Sequence, residues 1–248
     1  MRLSDEELDL IQAYVDSVRT HAAALGFSMT LSSDANAFVD FLHEQEGTHG
    51  VSSIHDPAKC HITPDNFAWF RVDRYGVGVA CHAIRSIETD DFIEEVRTHR
   101  VFGDIEVPWD FENVGLYPEA YDLRFAGRIG MGGGLWIHPN CRGQNLSSVF
   151  SKLLRIIGIR RFRLDHYVSF VLNTGKRQQW SLQSNGQARI PPLLNGYYPP
   201  YGTKKDILLT HCTRDEMLMQ IRQELAASEA AVSASHTEDA RQPMAERA

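Results

Sequence analysis

No stretch of the sequence approaches the ~20 consecutive apolar residues that span a bilayer. The N-terminus, MRLSDEELDL, places acids where a secretion signal carries positive charge and then an apolar run. Together these absences predict a cytoplasmic protein with no membrane partner. Basic residues are in the minority, 25 Lys and Arg against 32 Asp and Glu, for a net charge of -7 and a pI near 5.9. That balance argues against a polyanion binder living on counterion release, so nucleic acid is not expected as a partner. Cysteine is scarce: Cys60, Cys81, Cys141 and Cys212 are too few and too far apart for a disulfide framework and read as reduced thiols. Cys-x-x-Cys is absent, and in a strand each adjacent pair (Cys60-His61, Cys81-His82, His211-Cys212) points its members to opposite faces, so no metal site is expected. Gly-Lys-Ser and Gly-Lys-Thr are also missing, which excludes a Walker loop. Gly130-Met131-Gly132 begins a dinucleotide fingerprint, but Leu135 stands where its third glycine belongs.

What is present is enough to build a full core: 248 residues, 43% of them apolar. Ser4 and Glu7 have capping-box spacing, and Leu8, Ile11, Val15, Val18, Ala22 and Leu25 recur at steps of three and four, predicting a helix over 4–25 ended by Gly26. A strand from Phe27 to Leu31 follows, then a helix capped by Ser33, carrying Phe38, Phe41 and Leu42 and stopped by Gly47. Residues 48–66 have no periodicity and read as loop. Phe67 to Asp73 and Val77 to Ile87 read as a hairpin with a three-residue connection, Arg74-Tyr75-Gly76. A short helix over 89–100 precedes an acidic, aromatic loop from Asp104 to Asp122, with six carboxylates and no Lys or Arg.

From Leu123 to His138 the pattern is a strand interrupted by glycines; Leu146, Val149, Phe150, Leu153, Leu154 and Ile157 then share one helix face. Tyr167 to Leu172 reads as a strand buried on both faces. A polar helical stretch over 176–183, a Pro- and Tyr-rich loop and a strand from Asp206 to His211 complete this part. Thr213 and Glu216 repeat the capping-box spacing before a helix over 213–225, and 226–248 is expected to fray.

The informative unit is the strand, turn and helix around Pro139-Asn140-Cys141-Arg142-Gly143-Gln144-Asn145. A turn placed directly before a helix gathers unpaired N–H groups at the positive end of the helix dipole and binds phosphate. Gly143 allows close approach of a ligand, and Asn145 is the non-glycine residue that best tolerates positive φ. Lys152, Arg155, Arg160, Arg161 and Arg163 lie further along and could meet a second phosphate.

Leu135-Trp136-Ile137-His138-Pro139-Asn140-Cys141-Arg142-Gly143-Gln144-Asn145-Leu146-Ser147 resembles the strand, turn and helix start of the GNAT superfamily of acyl-CoA-dependent N-acetyltransferases. The family pattern Arg-x-x-Gly-x-Gly/Ala stands here as Arg142-x-x-Asn145-x-Ser147. The resemblance implies an α/β fold with a mixed, mostly antiparallel central sheet flanked by helices. The GNAT-like domain would cover 27–212 with an insertion at 88–122, and 1–26 and 213–248 would be additions. It implies acetyl-CoA or another acyl-CoA as co-substrate and a small-molecule or peptide amine as acceptor, and it allows a homodimer.

Main-chain groups of Leu135, Trp136 and Ile137 would pair with the pantetheine arm, and the amides from Arg142 through Gly143, Gln144, Asn145 and Leu146 would hold the pyrophosphate. Asn173 would match the Asn that follows the family's next strand. Glycines 132–134 would keep the strand open to the cofactor. The family's acid, a Tyr seven residues after that Asn, is replaced by Trp180; Tyr197, Tyr198 or Tyr201 could stand in, and Tyr198 is the one taken. Candidate bases are His138, His82, Glu119 and Asp122, of which His138 and Glu119 rank first. The acidic loop is expected to cover the acceptor side and select a cationic amine, with Trp109 or Tyr117 stacking on it. The alternative is a catalytically inactive acyl-CoA-binding sensor or interaction module.

Overall fold

The structure, a computed structural model, describes residues 2–48, 50–108, 115–185 and 189–239, without the side chains of 183–185 and 231–239. Helix α1 (Asp5–Ala24) buries Ile11, Tyr14, Val15, Val18 and Ala22. Its capping box is formed: the Ser4 hydroxyl accepts the Glu7 N–H at 3.2 Å and the Glu7 carboxylate accepts the Ser4 N–H at 2.7 Å, an arrangement worth about 1 kcal/mol. Strand β1 (Phe27–Ser32) leads into α2 (Ala35–His43). The cap of α2 is Asp34, whose carboxylate accepts the Ala37 N–H, and not Ser33. A short 3-10 turn, Ser53–His55, interrupts the stretch expected to be loop.

Strands β2 (Phe67–Arg74) and β3 (Val77–Thr89) form the expected hairpin, but the connection has two residues, not three. Tyr75 (φ 53°) and Gly76 (φ 80°) both take left-handed backbone, the requirement of the tight turn that matches strand twist. Helix α3 (Phe92–Arg97) follows and is shorter than the 89–100 expected. Next come β4 (Gly127–Ile137), α4 (Leu146–Phe162), β5 (His166–Leu172) and α5 (Gly175–Asn185). The Pro- and Tyr-rich segment is a strand, β6 (Pro192–Tyr198), paired antiparallel with β7 (Thr203–Thr213). The last helix, α6 (Arg214–Asp239), runs past the end expected near residue 225. No helix among the described residues is long and apolar enough to cross a membrane.

The seven strands lie in the order β1-β2-β3-β4-β5-β7-β6, all antiparallel except the β4–β5 pair. This is the mixed, mostly antiparallel sheet flanked by helices that the resemblance implies. One face buries Phe70, Ala80 and Ile84 against α1, α4 and α6. On the other, Cys81, Ala83 and Trp136 pack under Phe38 and Phe41 of α2, and Met131 and Val168 pack with α3 and Tyr198.

Two features of β4 shape the centre of the sheet. Its parallel pairing with β5 covers only Ile129–Met131 against His166–Val168, after which the strands part. Against β3 the register slips: Gly133 faces Ala83 and Trp136 faces Cys81, so Gly134 and Leu135 together oppose His82. This is a β-bulge, with Gly134 at φ 61° supplying the left-handed residue and extra local bend. Past the divergence β5 has lost a neighbour, so Ser169, Phe170 and Leu172 are half-buried and the strand is not enclosed on both faces as expected.

Glycines 132–134 admit rings rather than merely leaving the strand bare. A Cβ at Gly132 would lie 1.7 Å from the Tyr167 hydroxyl, one at Gly133 2.5 Å from His55 Cε1, and one at Gly134 2.5 Å from Phe38 Cζ. Gly132→Ala is therefore expected to lower unfolding free energy by about 1–3 kcal/mol through overpacking. Adding Tyr167→Phe should recover part of that loss because the first atom struck is gone. Urea melts of the two single variants and the double variant measure both effects.

Candidate active site

Where β4 and β5 part, a cavity of about 790 Å³ opens through the sheet, within the size range of small-molecule and cofactor sites. Strand alternation assigns its two sides. His82 lies on the face of Ala80 and Ile84, toward α4, with Phe70 and then Phe150 of α4 behind it. His55 lies on the opposite face, against Phe38 of α2 and Phe67. The Ser53–His55 turn packs on the 3-10 turn Pro199–Tyr201, which brings Tyr198 and Tyr201 to the same side.

On the α4 side the turn after β4 has the geometry its sequence predicts. Gly143 sits at φ 81° with open space where a side chain would be, and Asn145 at φ 57° heads α4 without capping it through its side chain. The N–H groups from Gly143 to Ser147 find no acceptor among the described residues, and the first turn of α4 contains no acid to neutralise them. Arg142 braces the turn by donating from Nε to the Ile137 carbonyl at 3.1 Å. Trp180 of α5 donates its indole N–H to the Ser147 hydroxyl at 3.2 Å, tying the two helices across the cavity. Lys176 and Arg177, at the start of α5, line the same opening as Arg142.

Burial sets the protonation states inside. His55 is pushed down to about 4 and His82 to about 3, chiefly by loss of water; Arg85 adds repulsion at His55, and His55 and Arg155 add it at His82. Both imidazoles are neutral at pH 7. Burial raises the Tyr198 phenol well above its ordinary range, so it keeps its proton.

Of the residues singled out from sequence, Leu135, Trp136, Ile137, Arg142, Gly143, Asn145, Leu146 and Tyr198 line the cavity. Four do not. Gln144 is exposed beside the opening. Asn173 donates to an Asp206 carboxylate oxygen at 2.9 Å and accepts from Gln178 at 2.6 Å, so its side chain is committed elsewhere. His138 accepts the Asn140 N–H on Nδ1 at 3.2 Å and serves as the cap of the turn. Glu119 is exposed on the 3-10 segment Pro118–Asp122, away from the cavity lining.

The basic residues of α4 are engaged as well. Lys152 pairs with Glu224 at 2.5 Å, Arg160 donates to Gln12, Arg161 to the Pro64 carbonyl and Arg163 to the Arg160 carbonyl. Arg155 is buried over the Tyr167 ring. Of the acidic loop, Trp109, Asp110 and Glu112 lie outside the described residues. Tyr117 donates its hydroxyl to Asp206 at 3.1 Å, and Leu116 bridges to Leu194 of β6. His55, Lys176 and Arg177 were not found from sequence as site residues; the run of three glycines signals rings packed against β4, but not which rings. No group of three or more His, Cys, Asp or Glu among the described residues is placed to hold a metal ion.

No family model and no curated protein sequence matches the chain. Solved structures of N-acetyltransferases are similar to it in fold. NAA60 from Arabidopsis thaliana, in complex with acetyl-CoA, is 8% identical, with a TM-score of 0.45 over 76% of this chain and 99% of that one. The ribosomal-protein-S18-alanine N-acetyltransferase from Escherichia coli is 13% identical, with a TM-score of 0.41 over 75% and 94%. The ribosomal-protein-S5-alanine acetyltransferase from Vibrio fischeri is 11% identical, with a TM-score of 0.42 over 77% and 95%. The likeness is one of chain course.

The buried neutral histidines make a stability prediction. A His whose folded-state pKa lies below its ordinary 6.5 takes up its proton more readily when unfolded. The stability it contributes is therefore complete above about pH 6.5 and is lost as pH falls toward the folded value. Urea melts should show falling stability from pH 7 to pH 4. His82→Gln, which cannot take up a proton, should lose roughly 3 kcal/mol less over that interval than the wild type.

Proposed function

We propose that the protein transfers an acyl group from an acyl-CoA to an amine by direct attack of the amine on the thioester. The observation that carries this reading is the parting of β4 from β5 beside an unneutralised helix start. The free edge of β4 from Gly132 to Ile137 offers main-chain donors and acceptors to an extended, amide-containing arm, in the manner of an added strand. One turn further on, the N–H groups of Gly143 to Ser147 face the opening at the positive end of α4, the arrangement that suits a diphosphate. Arg142, Lys176 and Arg177 add charge of the right sign around it.

In this reading the arm enters along β4 from the α4 side and its thioester lies in the gap between the strands. A β4 N–H near the bulge stabilises the oxyanion that forms on attack. The acceptor comes from the opposite face, and holding amine and thioester together supplies much of the rate gain. Tyr198, protonated and lining the gap, is a hydrogen-bond donor available to the departing sulfur.

Titration calorimetry with coenzyme A should register binding, and incubation with acetyl-CoA and a panel of amines should release free thiol. Longer acyl chains belong in the same panel. Gln144→Glu puts a carboxylate on an exposed position of the turn and should weaken coenzyme A binding about five- to tenfold, with little change in stability. Absence of heat on titrating coenzyme A would sink the reading.

A further inference from the structure

The far side of the opening contains a group that the acyl-CoA reading leaves without a task. The His55 ring is buried, lines the cavity, and has one nitrogen in use. Its Nε2 lies 3.0 Å from the Met131 carbonyl, an acceptor only, so that nitrogen is the protonated one and donates. Nδ1 therefore has a lone pair, and it has no hydrogen-bond partner among the described residues. Leaving a buried acceptor unpaired costs about 1–3 kcal/mol. Histidine in a packing role alone would not need that cost.

The position of the ring is fixed from several directions. It occupies the space a side chain at Gly133 would fill: an ideal Cβ there lies 2.5 Å from Cε1 and 3.0 Å from Nδ1. The ring thus stands on β4 directly before the bulge, where the strand edge is free. Behind it, Arg85 donates to the carbonyls of Ile54 at 3.2 Å and Val101 at 3.3 Å, and the Cys60 thiol donates to the Ser53 carbonyl at 3.2 Å. Phe38 and Phe67 flank the ring, each with centroids 6.4 Å away. Arg85 has a second effect, since a buried guanidinium beside the imidazole opposes a lasting positive charge on it. A proton taken up at Nδ1 is readily given away again.

We propose that His55, through Nδ1, takes the proton from the acceptor amine as it attacks the thioester. The inference rests on the acyl-transfer reading and adds to it the base and the face from which the amine arrives. As the amine lone pair forms the C–N bond, one N–H proton passes to Nδ1 and the carbonyl oxygen takes the negative charge. Collapse of the tetrahedral intermediate re-forms the C=O and breaks the C–S bond, and the imidazolium gives its proton to the departing sulfur. Amine and thioester become amide and thiol, and His55 returns to its starting state.

The test compares wild type, His55→Ala and His55→Gln, each checked for folding by circular dichroism and a urea melt. Calorimetry with coenzyme A and thiol release with acetyl-CoA and the best amine of the panel are then measured. Coenzyme A affinity should stay within about twofold in both variants, while kcat falls roughly 100-fold or more, the usual worth of a positioned base. Added imidazole should restore His55→Ala at least tenfold, which a packing role would not allow. Variants within threefold of the wild-type kcat would overturn the assignment and leave the acyl-transfer reading standing. So would a loss of coenzyme A affinity matching the loss of rate, or a loss that imidazole does not relieve. A wild type that binds coenzyme A and releases no thiol with any amine would remove transfer and His55's role together.

Discussion

The separation of β4 from β5 after three residue pairs is the constraint on which the cavity of this molecule depends. Parallel neighbours ordinarily continue side by side, since every unpaired N–H and C=O along a strand forfeits a hydrogen bond. Here the bulge at Gly134–Leu135 bends β4 on one side, while the Tyr167 and His55 rings press against it where Cβ atoms would otherwise stand. The strand cannot follow β5, and its main-chain groups face a cavity. That arrangement is sustained by glycine at three consecutive positions and is complementary to a ligand with a polar, extended backbone.

Electrostatics enters through direction more than quantity. The chain has a net charge of -7, and most basic side chains of α4 are already paired or bonded, so the positive character of the opening does not belong to a general field. It is local. It comes from N–H groups at the start of α4, an acid-free first turn, and three cations at the rim, acting over a distance short enough to escape salt screening. The net negative charge of the chain disfavours nonspecific polyanions.

The parts of the fold legible in the sequence were those governed by local physics. Capping boxes at Ser4 and Thr213 form, the left-handed Asn145 takes its expected conformation, and hydrophobic periodicity placed α1 within a residue at each end and found the start of α4. Misreadings arose where a neighbour distant in sequence decides. β6 looked like a loop because Pro192, Gly196 and Pro199 mask it, and only pairing with β7 makes it a strand. The α4 basic residues looked free because their partners, Gln12, Pro64 and Glu224, come from elsewhere in the chain. His55 was invisible for the same reason: nothing in an aperiodic loop indicates that its ring will fill the space over Gly133.

Whether such a cleft serves only to hold acyl-CoA or to react it turns on the face away from α4. A module that merely bound the cofactor would need the β4 edge and the α4 start, and the opposite face could be filled with apolar side chains. Instead that side has an imidazole whose unpaired lone pair costs stability, and a phenol kept protonated by burial. Sites that break local rules without a packing gain are where function is expected. The cavity is also lined from both faces of the sheet, with His82 and Ser147 on one side and His55 and Tyr198 on the other. A site for one ligand needs only one of those faces, whereas the two-substrate reading gives a task to each.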